Sequence, residues 1–352
     1  MTARLLAALA ALMLTACAKP GPPAAPAPAP APAPVATDPA RPPAPDLARR
    51  YLDWVTRANA GDWAGLRAQL TEESTVTPAS SGMVLHGPDN IIEFYKSFAV
   101  GFGDLTTTPI LVLVRPGQVA AVALTRGTND VAIGAHPATG KRTSFLGLTV
   151  VDYDAQGHLV RGTAYADNLN YMGQLGLWSG DTRPVDESTL DAPAIVRAGP
   201  HPDAAAGVAL ARRFAARIDA HDAPGLMKLY TPDAVVDDTH LAAPIATPAA
   251  IAHHFQEMFV AFPDLSIDDL AAWGAGDYAV ATFHLRGTNG GTYARLGASG
   301  TMRQIDLEAA MVLRVRGDAI AEQQIFVDGM AMGMQLGVLA DPGDAPVPES
   351  KP

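Results

Sequence analysis

The sequence predicts an α+β protein made of two similar domains in tandem, and three observations carry that prediction. Apolar residues follow a helical period and then a strand period, and this succession occurs twice along the 352 residues. Short motifs recur in the same order. Phe102-Gly103-Asp104-Leu105 returns as Phe262-Pro263-Asp264-Leu265, Arg126-Gly127-Thr128-Asn129 as Arg286-Gly287-Thr288-Asn289, and Gln174-Leu175-Gly176 as Gln335-Leu336-Gly337, at offsets of 160 or 161. A period of that size exceeds the roughly 20–50 residues of a solenoid unit, so a whole domain is duplicated. Proline-containing stretches separate the copies, which places them at 46–178 and 206–340, with a linker over 179–205 and a disordered tail over 341–352.

Within the first copy, Asp46 is placed to cap a helix whose stripe is Leu47, Tyr51, Trp54 and Val55. Gly61-Asp62 breaks it, and a short second helix carries Trp63, Leu66 and Leu70. Pro88 suits the first position of a third helix with Ile91, Ile92, Tyr95 and Phe98 facing inward. Strands are then expected at 106–114, 118–126, 142–153 and 159–167, joined by turns at Pro116-Gly117 and Ala155-Gln156-Gly157. The second copy repeats the scheme, with helices over 208–219 and 248–262 and strands near 278–286, 302–315 and 319–328.

A formal charge of −11 argues against a nucleic-acid partner, because phosphate binding needs a basic surface. A single cysteine excludes an internal disulfide and any multi-cysteine zinc site. It stands at the end of a positive start (Arg4) and an apolar run from Leu5 to Leu14, the pattern of a secretory signal, too short for the ~20 residues of a membrane span. Leu14-Thr15-Ala16-Cys17 resembles the bacterial lipobox. That resemblance implies a signal over 1–16, cleavage before Cys17, and a lipid anchor on it. Ala18 in the next position implies the outer membrane, on its periplasmic side. The stretch 17–45, with twelve of the chain's 30 prolines, reads as an extended spacer between anchor and domains.

Three helices followed by strands carrying F-x-D-L, R-G-T-x, T-G-K and D-x(6)-Q-L-G in that order resemble the SnoaL-like polyketide cyclases, or ester cyclases, of the nuclear transport factor 2-like superfamily. The resemblance covers both copies. It implies two tandem cone-shaped domains, each with its N-terminal helices packed in a strongly curved, mostly antiparallel sheet around an apolar pocket. It implies no metal and no cofactor, and the two copies are expected to pack as a pseudo-dimer.

Asp167 ends the last strand of the first copy and Asp328 holds the equivalent place in the second. Strand alternation puts Thr163, Tyr165 and Asp167 on one face, matched by Gln324, Phe326 and Asp328, a stripe suited to a pocket wall. In the resembling cyclases the matching aspartate is the general acid/base of an intramolecular aldol closure. Burial beside aromatics would raise such a pKa. The alternative is that each aspartate caps the helix that follows. Asn129 and Asn289 stand where family members often carry histidine. Asparagine hydrogen-bonds but exchanges no proton at physiological pH, so each is a ligand-binding or a turn residue. His284 shares a strand face with Arg286 and is a candidate lining residue. His240, His253, His254 and His284, with Asp237 and Asp238 nearby, match no familiar metal spacing.

The chain has no G-x-S-x-G elbow, Walker loop or dinucleotide fingerprint. Three readings stay open. One is a cofactor-independent cyclase or isomerase acting on a small apolar carbonyl compound. The second is a non-catalytic envelope lipoprotein whose pockets hold a small apolar ligand, and the third is one that contacts a protein partner.

Overall fold

A computed structural model of the chain describes residues 45–79, 81–132 and 137–339. The expected signal, Cys17, most of the spacer and the expected tail lie outside the described residues.

The first copy opens with α1 (Leu47–Asn59), capped by Asp46, which accepts from the backbone N–H groups of Ala48 and Arg49. Its buried stripe includes Leu47, Tyr51, Trp54 and Val55, as the sequence spacing predicts. The second helix, α2, is short (Trp63–Arg67), because the chain turns into strand β1 (Leu70–Pro78), which sequence reasoning missed. The mixed run Leu70-Thr-Glu-Glu-Ser-Thr-Val has neither a clear two-residue nor a clear helical period. After the two-residue strand β2 (Leu85–His86), α3 (Gly87–Val100) starts around Pro88 and buries Ile91 and Ile92. Strands β3 (Thr106–Arg115), β4 (Gln118–Thr128), β5 (Arg142–Tyr153) and β6 (Leu159–Ala166) form a meander, and α4 (Asn168–Leu175) ends the copy. The linker contributes β7 (Ala194–Arg197), which adds parallel to the edge of β3.

The second copy repeats this order. It comprises α5 (Pro202–Asp219), α6 (Ala223–Met227), β8 (Tyr230–Asp238), α7 (Pro248–Ala261), β9 (Ser266–Ala275), β10 (Tyr278–Thr288), the short pair β11 (Thr292–Tyr293) and β12 (Ala298–Ser299), β13 (Gln304–Arg316), β14 (Ala319–Phe326) and α8 (Gly329–Gln335).

The α+β class holds, but the strongly curved cone does not. The sheets run β2-β1-β6-β5-β4-β3-β7 and β8-β14-β13-β10-β9. Both are open and mixed, with β1 parallel to β6 and β8 parallel to β14, and neither is closed or strongly curved. The physical reason is that these sheets bury both faces. Strand β4 is buried almost throughout, so its residues alternate between two apolar environments. One face packs on the helices of its own copy, through Val112, Val119 and Ala121 with Tyr51 and Trp54. The other faces the sister sheet: Leu113, Val122 and Tyr165 share one cluster with Val280, Val312 and Phe326. A sheet covered by a second sheet buries its apolar area without wrapping on itself.

The repeated motifs act as fasteners. Asp104 accepts from Thr128 N and, at 3.0 Å, from Thr128 Oγ1. Asp264 does the same for Thr288, with 2.7 Å to the hydroxyl. Gln174 accepts from Ser144 N at 2.8 Å and Gln335 from Asp306 N at 2.8 Å, tying each terminal helix to its sheet.

Candidate active site

Asp167 and Asp328 meet at the junction of the two copies. Each is the N-cap of its own terminal helix and also accepts from the other copy. Asp167 takes Asn170 N (2.8 Å), Leu169 N (3.3 Å) and, across the junction, Gly329 N (2.8 Å). Asp328 takes Met330 N (2.9 Å), Asn168 N (3.1 Å) and Asn168 Nδ2 (2.7 Å). The approach is close enough that a Cβ on Gly329 would stand 3.2 Å from Asp167 Oδ1. Both carboxyls are buried, and burial raises both pKa values; Asp328, which also faces the charge of Asp167, is pushed up to about 6.

The other sequence-predicted residues spread over different places. Thr163 pairs across the ladder with Val150 and Gln324 with Val312, so both lie on the face between the sheets with Tyr165 and Phe326. His284 is on that face at a more open position, with Nδ1 2.7 Å from Asp306 Oδ1. Asn129 is buried: Nδ2 donates to Gly101 O (3.1 Å) and Val131 O (2.8 Å), and Oδ1 accepts from Thr139 N (2.8 Å) and Oγ1 (3.0 Å). Asn289 repeats the clip with Ala261 O, Gly291 O and both groups of Thr301. Each amide spends its two donors and two lone pairs on the protein.

The concentration of chemistry is elsewhere, in the second copy. Asp238 ends β8, next to the last strand β14, and the residue is 4% exposed. Its Oδ1 lies 2.6 Å from Nδ1 of the buried His240, whose Nε2 hydrogen-bonds the hydroxyl of Tyr293 from β11. Its Oδ2 lies 3.4 Å from Nε2 of His254 on α7. Burial alone would raise the Asp238 pKa. The charge and hydrogen bond of His240, and those of His254, outweigh it and hold the carboxyl well below the usual range. Burial, reinforced by Asp238, pushes the Tyr293 phenol up, so it stays protonated. His254 and Tyr293 also line a cavity of about 410 Å³ with Leu241, Met258, Val260 and Arg295. Asp167 is close enough for its charge to interact with His240, Tyr293 and Arg295.

Sequence reasoning noted these histidines only as a metal cluster without a familiar spacing. Among the described residues no group of three or more His, Cys, Asp or Glu is arranged to hold a metal ion. The available signal was the difference between copies: at the 160-residue offset, Pro78 and Phe94 stand where the second copy has Asp238 and His254.

A family model described as SnoaL-like domain matches residues 48–162 and again 211–323. No curated protein matches the chain. Among solved structures the chain is similar to a protein of ketosteroid-isomerase-like fold from Catenulispora acidiphila, in complex with trimethylamine. That match has 19% identity, covers 38% of this chain and 95% of that one, and has a TM-score of 0.33. It is also similar to a protein assigned as a SnoaL-like polyketide cyclase from Jannaschia (19% identity, 38% and 93% covered, TM-score 0.35) and one so assigned from Shewanella denitrificans (15%, 38% and 99%, 0.35). Among the described residues, no helix is long and apolar enough to cross a membrane.

Proposed function

The chain belongs to the SnoaL-like domain family through both of its copies, and from that premise we propose that the second copy is a cofactor-independent cyclase or isomerase working by proton transfer on a small apolar carbonyl compound. One observation carries this reading: a buried relay, His254–Asp238–His240–Tyr293, has both ends on the wall of one cavity. The donor and acceptor types allow a balanced cycle. With Nε2–H turned to Asp238, His254 keeps a lone pair on Nδ1 and takes a proton from the carbon beside the carbonyl. Tyr293 gives its proton to the developing oxyanion and is refilled from Nε2 of protonated His240. One positive charge has then passed from His240 to His254, and Asp238 remains a carboxylate between them. The return step, with the same groups in reverse, places the proton on a new atom, which is isomerisation; attack of the enolate on a second carbonyl in the same molecule is cyclisation.

Asp167 and Asp328 support this site from behind, since their oxygens are engaged by backbone and Asn168 N–H groups at the junction. The test is exchange of α-protons for deuterium, followed by NMR on a panel of small β-keto esters. Asp238→Asn should lower the rate by about 10²–10⁴-fold, the usual size of a general acid/base contribution, while Asp167→Asn keeps it within about tenfold. Wild-type exchange no faster than buffer would overturn the reading.

We also propose that Cys17 carries a lipid that holds the protein at the cell envelope, on the warrant of Leu14-Thr15-Ala16-Cys17. Cys17→Ser should move the protein from the membrane to the soluble fraction. An unlipidated wild-type Cys17 by mass spectrometry would refute the anchor.

A further inference from the structure

Arg295 sits on the 3₁₀ turn Ala294–Leu296, directly after Tyr293, and lines the same cavity. Its guanidinium is held by neutral groups. One terminal nitrogen donates to Asp181 O, the other to Asn170 Oδ1 at 3.3 Å, and the guanidinium carbon lies 5.1 Å from the centre of the Trp178 ring. All three partners belong to the first copy or to the chain leaving it. Among the described residues, no carboxylate lies within 4.0 Å of Arg295, and its Nε is buried without a hydrogen-bond partner. Exposed arginines of the second copy do find carboxylates, as Arg286 does with Asp268 and Asp306 and Arg314 with Asp277 and Glu322.

We propose that this cavity is an anion site in which Arg295 binds the carboxylate of a small organic acid. The proposal rests on the proton-transfer reading of the cavity and replaces its apolar carbonyl substrate with one that carries a carboxylate. A cation drawn partly out of water is costly unless an anion faces it, and the protein supplies none at contact distance. Burial pulls the Arg295 pKa below its ordinary value, and the charges of Asp167, Asp181 and Asp238 act the other way. Neutral clamps fix the plane of the fork without neutralising it. That leaves N–H groups for a planar carboxylate, the geometry guanidinium binds in bidentate fashion. Leu241, Met258 and Val260 provide apolar walls for the rest of the molecule, and the lining also includes one carboxylate, Glu257. An acid anchored at Arg295 brings its carbon chain beside His254 and Tyr293, so the fitting substrate class is a small oxo acid.

The experiment is calorimetric titration of the full chain with phenylacetate and with its neutral isostere phenylacetamide. Wild type should bind the carboxylate at least roughly tenfold tighter, the scale of a charge-assisted hydrogen bond in a partly dry site. Arg295→Gln should bring the two affinities together, and Arg295→Lys should fall between. Asn170→Asp keeps the arginine but places a carboxylate against it, and should weaken phenylacetate binding at least roughly tenfold. That variant keeps the test open if Arg295→Gln does not fold. Equal binding of the two probes by wild type, no phenylacetate binding, or an undiminished preference in the folded variants would overturn the proposal. Asp238→Asn separates the two readings, since Asp238 does not line the cavity: it should lower α-proton exchange by about 10²–10⁴-fold while the preference for phenylacetate over phenylacetamide stays.

Discussion

The two copies share a backbone plan and differ in what fills the space between helix and sheet. In the first, Phe98, Phe102, Phe145 and Tyr171 cluster with ring centroids 5.8–6.4 Å apart, Phe145 edge to face with Phe98 and Tyr171 and the other pairs tilted. At the corresponding positions the second has Met258, Phe262, Leu307 and Met332, and its charge-bearing residues Asp238, His240 and His254 gather one strand away. Rings fill volume with apolar area and leave nothing to exchange a proton. A buried carboxylate between two histidines is stable only as a paired set and is then ready for acid/base work. At this place the first copy carries aromatic packing and the second carries ionisable groups. The asymmetry extends across the junction: Asn170 of the first copy donates to Thr239 O at 2.8 Å beside the second copy's site, while its counterpart in the second copy is Ala331.

Exchanging a residue between copies is the strongest way to break this comparison. His254→Phe gives the second copy the residue of the first and should cost about 10²–10⁴-fold in α-proton exchange. The reciprocal Phe94→His should bring no activity, because Pro78 supplies no carboxylate to orient the new ring. Activity arising from Phe94→His would mean that the first copy holds a latent site.

The fasteners, in contrast, should behave alike in both copies. Asn129→Ala and Asn289→Ala each strand buried backbone groups, and each should cost about 2 kcal/mol of stability in denaturant titration. A large inequality would show that one clip has taken on a further role.

A smaller effect is expected at the junction. Asp167→Ala removes an N-cap and a bond to the other copy, about 1–2 kcal/mol, and should lower the thermal midpoint while leaving ligand binding in place. A midpoint equal to wild type would remove the junction from the account.

A further effect is in pH dependence. The Asp328 pKa is raised in the folded protein to about 6 from 3.8, so the native state binds this proton more tightly than the unfolded chain does. Its contribution is fully present below pH 3.8 and is lost as pH rises through about 6. The thermal midpoint of wild type relative to Asp328→Asn should therefore be higher at pH 4.5 than at pH 7.5. A difference that does not change with pH would mean that Asp328 is ionised throughout.

Much of the fold was legible in the residues because its signals are local. Asp46 as a cap, Pro88 at a helix start and the apolar runs of β4 and β5 beside turn residues each act within a few positions, and duplication printed the fasteners twice. Strands β1 and β8 were not legible, since their pairing with β6 and β14 comes from residues about 85 positions away. For the site, the sequence alone determined that Asp167 and Asp328 hold equivalent places. Tertiary structure decided that their oxygens accept from N–H groups of both copies at the junction. It also decided which histidines meet a carboxylate in the interior. Asp238, His254 and Tyr293 lie on a strand, a helix and a short hairpin, and no spacing along the chain brings them together. Backbone conformation is set by neighbouring residues, whereas a proton relay depends on distances of about 3 Å between groups far apart in sequence, and only packing of the whole second copy sets those.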